Sequence, residues 1–579
     1  MFAEVIPIRR TPFGLDGFDY SFDETKTSYH VGQFVYILLR GHTTEAVIRS
    51  IKPTSAFASR AKPIVGPIPA SLTLPPACLE LLTWVAERTF SSLPTVLHAW
   101  LDTLPKRFPK QETPTRDAKT FSEKTGSAHA YWSVDHETEL IGRAKEALNQ
   151  GQRVLILTPW TQRIDLFRQA LQAVTPDPLP LHGDLAHGAY FANWSRCVSG
   201  ESPCVIATRL GAWLAPTVDL VLIDEPENDD HKQDEQAPRY DARRIAGWAA
   251  KYAGVRVEAF GLTPPLHANT AAPDLDCALT VHAFHPGGRS ATPSIQADTA
   301  LAIQEHEGPT IVIHPIRGRA GRLTCRDCSW QATCAHCGAP VAAEETRAVC
   351  RSCSHTQALP LTCDSCGSAD LGKAIPGIEQ LKKAWSRAEP TIAIDWRDTT
   401  NELLEQPILP KSLVVLTLSQ LFGGAIEDVR RTERRMIAAR RLMNRIRRAE
   451  GRLIIQTPEQ DLETWPAWKT AEGVKRTSDA ELETRRLFHY PPTWRRVKCL
   501  IDGTETTVAT WLTQAKQLLR GQGTIEGRFP VEFRRPGSGA RSVVHLLFSP
   551  EISESSLVEL LQPLAASALI DLDPIAFFK

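Results

Sequence analysis

No segment of the 579 residues approaches the roughly 18 consecutive apolar positions of a membrane-spanning helix. The apolar stretch from Val218 to Ile223 already contains Asp219 and runs into Asp224. The first ten residues, Met1 to Arg10, lack the layout of a secretory signal. An excess of either charge is missing too: 66 Lys and Arg face 66 Asp and Glu. That balance excludes a uniformly cationic coat and leaves room for a local basic groove. Low-complexity tracts are absent, and no tandem repeat is visible beyond one set of cysteine pairs. These absences, with 42% apolar and 23% charged residues, exclude a membrane-spanning, disordered or collagen-like chain. They predict a soluble, cytoplasmic protein of about three to five globular domains.

Eight of the 13 cysteines fall between Cys325 and Cys366, as four C-x-x-C pairs: Cys325/Cys328, Cys334/Cys337, Cys350/Cys353 and Cys363/Cys366. Cys78, Cys197, Cys204, Cys277 and Cys499 stand alone and read as small buried hydrophobes. A C-x-x-C turn brings two thiolates to one tetrahedral metal, and two turns complete a closed site. Four pairs therefore predict two Zn²⁺. An intracellular chain disfavours a disulfide framework, a redox dithiol needs one pair rather than four, and the spacings fit neither common ferredoxin pattern. A closed four-thiolate site has no open position, so the ions should be structural. Spacing alone allows sequential or nested pairing.

Residues 1–68 read as short strands separated by Gly and Pro, and 70–104 as a small helical domain. The basic, Pro-containing stretch 105–120 reads as a linker. From 121 to 285, β-branched runs alternate with helical segments, among them a helix from Asp135 to Asn149. This predicts a parallel sheet covered on both faces. A second α/β unit spans 300–465, interrupted by the zinc module at 323–370, and a C-terminal α+β portion spans 470–579. The strand Leu220 to Ile223 leads into Asp224-Glu225, the arrangement in which nucleotide hydrolases hold Mg²⁺ and orient water.

Several motifs, in order, resemble the primosomal protein N′ family, the PriA-type replication-restart helicases, over nearly the whole chain. Leu323-Thr324-Cys325-Arg326-Asp327-Cys328 and Cys363-Asp364-Ser365-Cys366-Gly367-Ser368 resemble the opening and close of the family's zinc segment. Asp224 to Gln233 followed by Pro238-Arg239-Tyr240-Asp241-Ala242-Arg243 resembles its D-E-E-H…P-R-Y-x-A-R block. Thr208-Arg209 with Ala212 to Pro216, Glu481 to Arg486 with Tyr490-Pro491-Pro492, and Phe18-Asp19-Tyr20 match further motifs. The resemblance implies an N-terminal β-rich DNA-binding domain, a winged-helix-like domain, and two RecA-like lobes with an inserted double-zinc module. It also implies nested zinc pairing: Cys325, Cys328, Cys363 and Cys366 on one ion, and Cys334, Cys337, Cys350 and Cys353 on the other.

Departures from the family argue against ATP turnover. Its T-G-S-G-K-T phosphate loop reads Thr125-Gly126-Ser127-Ala128-His129-Ala130. His129 lacks the reach and charge of lysine, and Ala130 cannot ligate Mg²⁺. No other such loop occurs in the chain. Asp224-Glu225 is followed by Pro226-Glu227, the coupling motif reads Gly261-Leu262-Thr263, and the arginine-finger segment, with Arg445 and Arg448, has lost both glycines.

The resemblance assigns Phe18, Asp19 and Tyr20 to a pocket for a DNA 3′ end, and Lys232, Arg239, Tyr240 and Arg243 to a DNA-contacting loop. Between Arg430 and Arg452 lie ten arginines and two acids, with Ala439, Leu442, Met443 and Ile446 at helical spacing. This segment reads equally as a solvated helix or a phosphate-tracking one. The leading expectation is a primosomal factor that binds forked or branched DNA without helicase activity. Its partners by resemblance are a single-stranded-DNA-binding protein and helicase-loading proteins. The alternatives are an ATP-dependent 3′→5′ helicase with a rebuilt nucleotide site, and a protein scaffold without useful DNA affinity.

Overall fold

A computed structural model describes residues 1–68, 73–101, 126–284, 295–316, 321–325, 330, 332–335, 341–343, 347–350, 355–375, 377–399, 406–419, 422, 429–531 and 541–575. The expected linker at 105–120 lies outside them, as do Cys328, Cys337 and Cys353. The chain divides into two compact units, one built from Met1–Gly261 with the C-terminal part from Arg485, the other from Leu262–Thr484. Among the described residues, no helix is long and apolar enough to cross a membrane.

The first unit opens with an antiparallel sheet of β1 (Phe2–Pro7), β2 (Phe18–Ser21), β3 (Phe34–Leu39), β4 (His42–Lys52) and β5 (Gly66–Pro67), in the order β2-β1-β4-β3-β5. Arg40 and Gly41, both at positive φ, form the two-residue turn between β3 and β4. Two positive φ values match the right-handed twist of the flanking strands. Helices α1 (Pro76–Arg88) and α2 (Leu93–Trp100) follow, each started by a proline in its first turn. Ser92 caps α2 by accepting from the Thr95 N–H.

Next comes an all-parallel sheet of β6 (Ala128–Trp132), β7 (Val154–Leu157), β8 (Leu179–Leu181), β9 (Cys204–Ala207), β10 (Leu220–Asp224) and β11 (Arg256–Gly261). Its order is β6-β11-β10-β7-β9-β8. Alternate residues serve opposite faces. Val154, Ile156, Ile206 and Leu222 pack under α3 (His136–Asn149) and α4 (Thr161–Leu171). Leu155, Leu157, Val221 and Ile223 belong to a core shared with α1, α2, α5 (His187–Val198) and α6 (Ala242–Ala253). Helices α1 and α2, within the segment read as a small helical domain at 70–104, thus pack into the core of the parallel sheet. Trp100 is buried, its ring 5.8 Å from Trp194 and 6.1 Å from Trp213.

The second unit holds a parallel sheet in which β12 (Ala278–Ala283) pairs with β21 (Arg452–Thr457). Residues 278–283 therefore belong here and not to the preceding α/β unit, where the sequence boundary at 285 put them. The other strands are β13 (Thr310–Ile313), β19 (Ile394–Arg397) and β20 (Leu413–Leu416), in the order β12-β21-β20-β13-β19. Helices α7 (Ala297–Gln304), α8 (Ile378–Ala388) and α9 (Arg431–Arg448) accompany them. Between β13 and α8 a small antiparallel sheet is inserted, of β14 (Gly321–Cys325), β15 (Val341–Ala343), β16 (Arg347–Cys350), β17 (Thr356–Ala358) and β18 (Leu371–Ile375). The expected apolar stripe of α9 is inward, and Arg440 joins it. Wholly buried, Arg440 donates to the carbonyls of Trp468 and Pro273, at 2.6 Å each.

After α10 (Ala471–Leu487) the chain completes the first unit with β22 (Arg495–Asp502), α11 (Glu505–Leu519), β23 (Gly523–Val531), β24 (Arg541–Phe548), α12 (Glu554–Leu561) and β25 (Leu569–Asp571). The sheet order is β23-β24-β22-β25. Because Trp100 fills the centre of a shared core, Trp100→Ala is expected to cost about 3–5 kcal/mol of stability. The midpoint of guanidinium unfolding measures this; a loss below about 1 kcal/mol would detach α2 from that core.

Candidate functional site

In a parallel α/β sheet, phosphates bind where strands end and helices begin. At that edge here, the side chain of Asp224 is completely buried at the end of β10. Both of its oxygens are taken by the guanidinium of Arg163 on α4, with Nε donating to Oδ2 at 2.6 Å and Nη2 to Oδ1 at 2.8 Å. The Thr158 hydroxyl donates to Oδ2 at 2.8 Å, and the buried His231 ring contacts the Asp224 backbone carbonyl at 2.8 Å. Arg163 also lies 3.2 Å from Glu137 and 4.0 Å from Glu225. Burial alone would lower its pKa, but Asp224 and then Glu225 outweigh that and hold it well above the usual value. Glu225 sits at φ +48°, a left-handed conformation uncommon for a non-glycine residue. The carboxylate expected to hold Mg²⁺ is thus saturated by an arginine.

The expected phosphate-loop residues are not in a loop. His129 and Ala130 lie in β6, an edge strand, with exposed side chains, opposite Glu258 and Ala259 of β11. The strand-to-helix turn comes later, at Ser133–Asp135, and leads into α3 with Glu137 and Glu139 in its first turn. Those acids suit the positive end of the helix and repel phosphate. The Ser133 hydroxyl donates to Glu139 at 2.6 Å. The predicted helix start at Asp135 was the signal that the junction lay downstream of the motif. Gly261, read as a lost coupling residue, is sterically required: a Cβ there would come within 2.4 Å of Glu227 Oε2 and 2.6 Å of Trp132.

Lys232, Arg239, Tyr240 and Arg243, expected on a DNA-facing loop, are turned into the first unit. Lys232 Nζ donates to Asp571 Oδ1 at 2.7 Å, with both side chains buried. Arg239 lies 3.8 Å from Asp571 and 3.9 Å from Asp234. The Tyr240 ring is buried 4.7 Å from that of Trp213. Arg243 forks onto Asp241 and donates to the Pro226 carbonyl at 2.7 Å. Burial raises the Asp241 carboxyl, but Arg243 outweighs it and holds it down at about 2. The aspartates that draw these cations inward include Asp571, 339 residues beyond Lys232. Arg445, expected as a finger, donates to the Gln406 carbonyl at 2.7 Å.

In the N-terminal sheet the three motif residues part company. Tyr20 is buried, its hydroxyl donating to the Leu38 carbonyl at 2.9 Å, so its ring belongs to the core and offers no stacking face. Phe18 packs half-buried against the same core. Asp19 accepts from Lys52 at 3.1 Å and from the Ser55 hydroxyl.

The inserted sheet gathers cysteines that are distant in sequence. Cys325 ends β14 and pairs opposite Leu371 of β18, which brings it beside Cys363 and Cys366. The three sulfurs lie within 4.8 Å of one another, and Cys325 and Cys366 are 3.6 Å apart. Sulfurs of a tetrahedral site with Zn–S of about 2.3 Å stand about 3.8 Å apart, so the set fits such an ion. The N–H groups of Ser365 and Cys366 donate to Cys363 Sγ, at 3.3 and 3.4 Å. Gly367 closes this turn at φ +75°. Cys334 and Cys350 are buried in the core of the same sheet.

Removing Arg163 would leave Asp224 buried without its counter-charge. Arg163→Ala is expected to destabilise the chain by about 3–5 kcal/mol, and the double change Arg163→Met with Asp224→Leu by much less. Denaturant unfolding of the three proteins checks this; equal losses in the single and double variants would show that the pair is not coupled.

Residues 10–102 match the family model for the PriA 3′DNA-binding domain (3′BD). The chain is 26% identical over 282 residues to replication restart protein PriA of Haemophilus influenzae, covering 44% of this chain and 38% of that one. It is 22% identical over 510 residues to PriA of Synechocystis (74% and 60%) and 23% over 493 residues to PriA of Thermotoga maritima (76% and 65%). It therefore spans between 38% and 65% of the length of these relatives. The chain is thus similar to PriA replication restart proteins, and its residues 10–102 match the model of that family's 3′DNA-binding domain.

Proposed function

We propose that the chain is a DNA-binding replication-restart factor that recognises forked DNA and recruits helicase-loading partners without turning over ATP. The observation that carries the loss of turnover is the Arg163 guanidinium on both oxygens of Asp224. A divalent ion needs that carboxylate, and displacing a buried, bidentate arginine leaves an unpaired charge. The exposed strand at His129 and the acidic start of α3 supply no cradle for phosphate. DNA binding rests on the 3′DNA-binding domain at 10–102, where Phe18 and Asp19 are the residues proposed to meet a 3′ end. The single-stranded-DNA-binding protein and helicase loaders stay proposed partners, in the cytoplasm.

Two Zn²⁺ complete the reading, one on Cys325, Cys328, Cys363 and Cys366 and one on Cys334, Cys337, Cys350 and Cys353. Both would be structural, holding the turns of the inserted sheet in place.

Purified protein is expected to bind forked DNA with salt-dependent affinity and to hydrolyse ATP no faster with DNA than without it. DNA-stimulated hydrolysis that Asp224→Ala abolishes would restore the helicase reading; absence of fork binding would leave a protein scaffold. Cys363→Ser is expected to lower bound zinc from two ions to one, counted by atomic emission, with Cys334 and Cys350 still protected from alkylation. Exposure of Cys350 in that variant, with Cys334 still protected, is the outcome of sequential pairing and would overturn the nested assignment.

A further inference from the structure

The segment from Glu481 to Arg486 with Tyr490-Pro491-Pro492, and the chain just beyond it, takes no part in the features above. From Arg485 to Lys498 it contains five cations and no acid, the cations flanking Phe488, His489, Tyr490 and Trp494. Its backbone is firmly held. Helix α10 ends at Leu487, His489 takes a left-handed φ of +55°, and the Tyr490 N–H returns to the Arg485 carbonyl at 2.8 Å. From below, the buried Arg485 donates to the Pro491 carbonyl at 3.0 Å, and the Arg496 guanidinium lies 4.2 Å from the Tyr490 ring centroid. On the outside this arrangement displays apolar and aromatic side chains. Leu487 is 72% and Phe488 56% exposed, and the exposed His489 ring sits 4.1 Å from that of the half-buried Trp494. Arg486 is exposed and Arg495 half-buried beside them.

A rigid loop that holds aromatic rings in water costs stability unless something covers them. The loop carries no acid, and its rings are flanked by Arg486 and Arg495, which suit phosphates. We infer that the Leu487–Arg495 loop is a stacking platform for single-stranded DNA. Phe488 and the His489–Trp494 pair take bases, and Arg486 and Arg495 take the backbone. This site lies apart from residues 10–102 and does not depend on recognition of a 3′ end.

The test uses the full chain and a fluorescein-labelled oligo(dT) with its 3′ end blocked by phosphate, so that end capture contributes little. Phe488→Ala is expected to weaken binding by roughly fivefold to a hundredfold. Trp494→Phe, which keeps a ring, is expected to change it by less than about threefold. Arg486→Ala is expected to reduce the slope of log Kd against log salt by about 0.7. Because Phe488 is exposed, its alanine variant should melt as the parent does, and melting is measured alongside. Unchanged oligo(dT) affinity in Phe488→Ala that melts normally overturns the inference, as does photocross-linking of iododeoxyuridine only outside the loop. Parent protein that binds a fork with a free 3′ end but not the blocked oligo(dT) sinks the platform alone. Binding of the oligo(dT) without any preference for forks sinks the fork reading alone.

Discussion

A carboxylate cannot be left alone at the end of a buried strand. Asp224 closes β10 where the sheet is covered on both faces, and an unpaired charge there costs several kcal/mol. In a nucleotide hydrolase the compensating charge comes and goes with the metal and its phosphates. Here it is carried by Arg163, covalently part of α4, and it stays. The neighbourhood follows from that choice. Glu137 at the start of α3 turns toward the guanidinium, Glu225 lies close in its left-handed conformation, and Thr158 spends its hydroxyl on the same carboxylate. On the reading proposed above, the edge of the sheet became a structural joint when the arginine replaced the exchangeable ion.

The same rule operates on the other side of the first unit. Lys232 and Arg239 converge on Asp571, and Arg88 of α1 pairs with Asp573 and Glu554. Burial alone would raise the Asp573 carboxyl, but Arg244 and Arg88 hold it below its ordinary value. Residues that resemble a DNA-contacting loop are in this way recruited to fasten the C-terminal strands to the parallel sheet.

Strands and helices were legible because their signals are local. Continuous β-branched runs marked β7, β9 and β10, and the helix from Asp135 was found within one residue. The cysteine spacing gave the chemistry of the inserted sheet, although the neighbours of Cys325 emerged only from the pairing of β14 with β18. What stayed hidden was everything set by distant partners. Nothing near Lys232 announces Asp571, nothing near Asp224 announces Arg163, and the inward turn of Tyr20 depends on a carbonyl in the next hairpin. A motif fixes residue types, whereas burial and counter-charges decide what those residues face.

The ion pair between Lys232 and Asp571 also sets a timetable. The two residues are 339 positions apart, with the whole second unit between them. At a synthesis rate of about 5–20 residues per second, Lys232 waits roughly 17 to 70 seconds for its counter-ion. During that interval Lys232 lacks its buried partner and the core around it is unfinished. The first unit therefore finishes folding only after the second has been made.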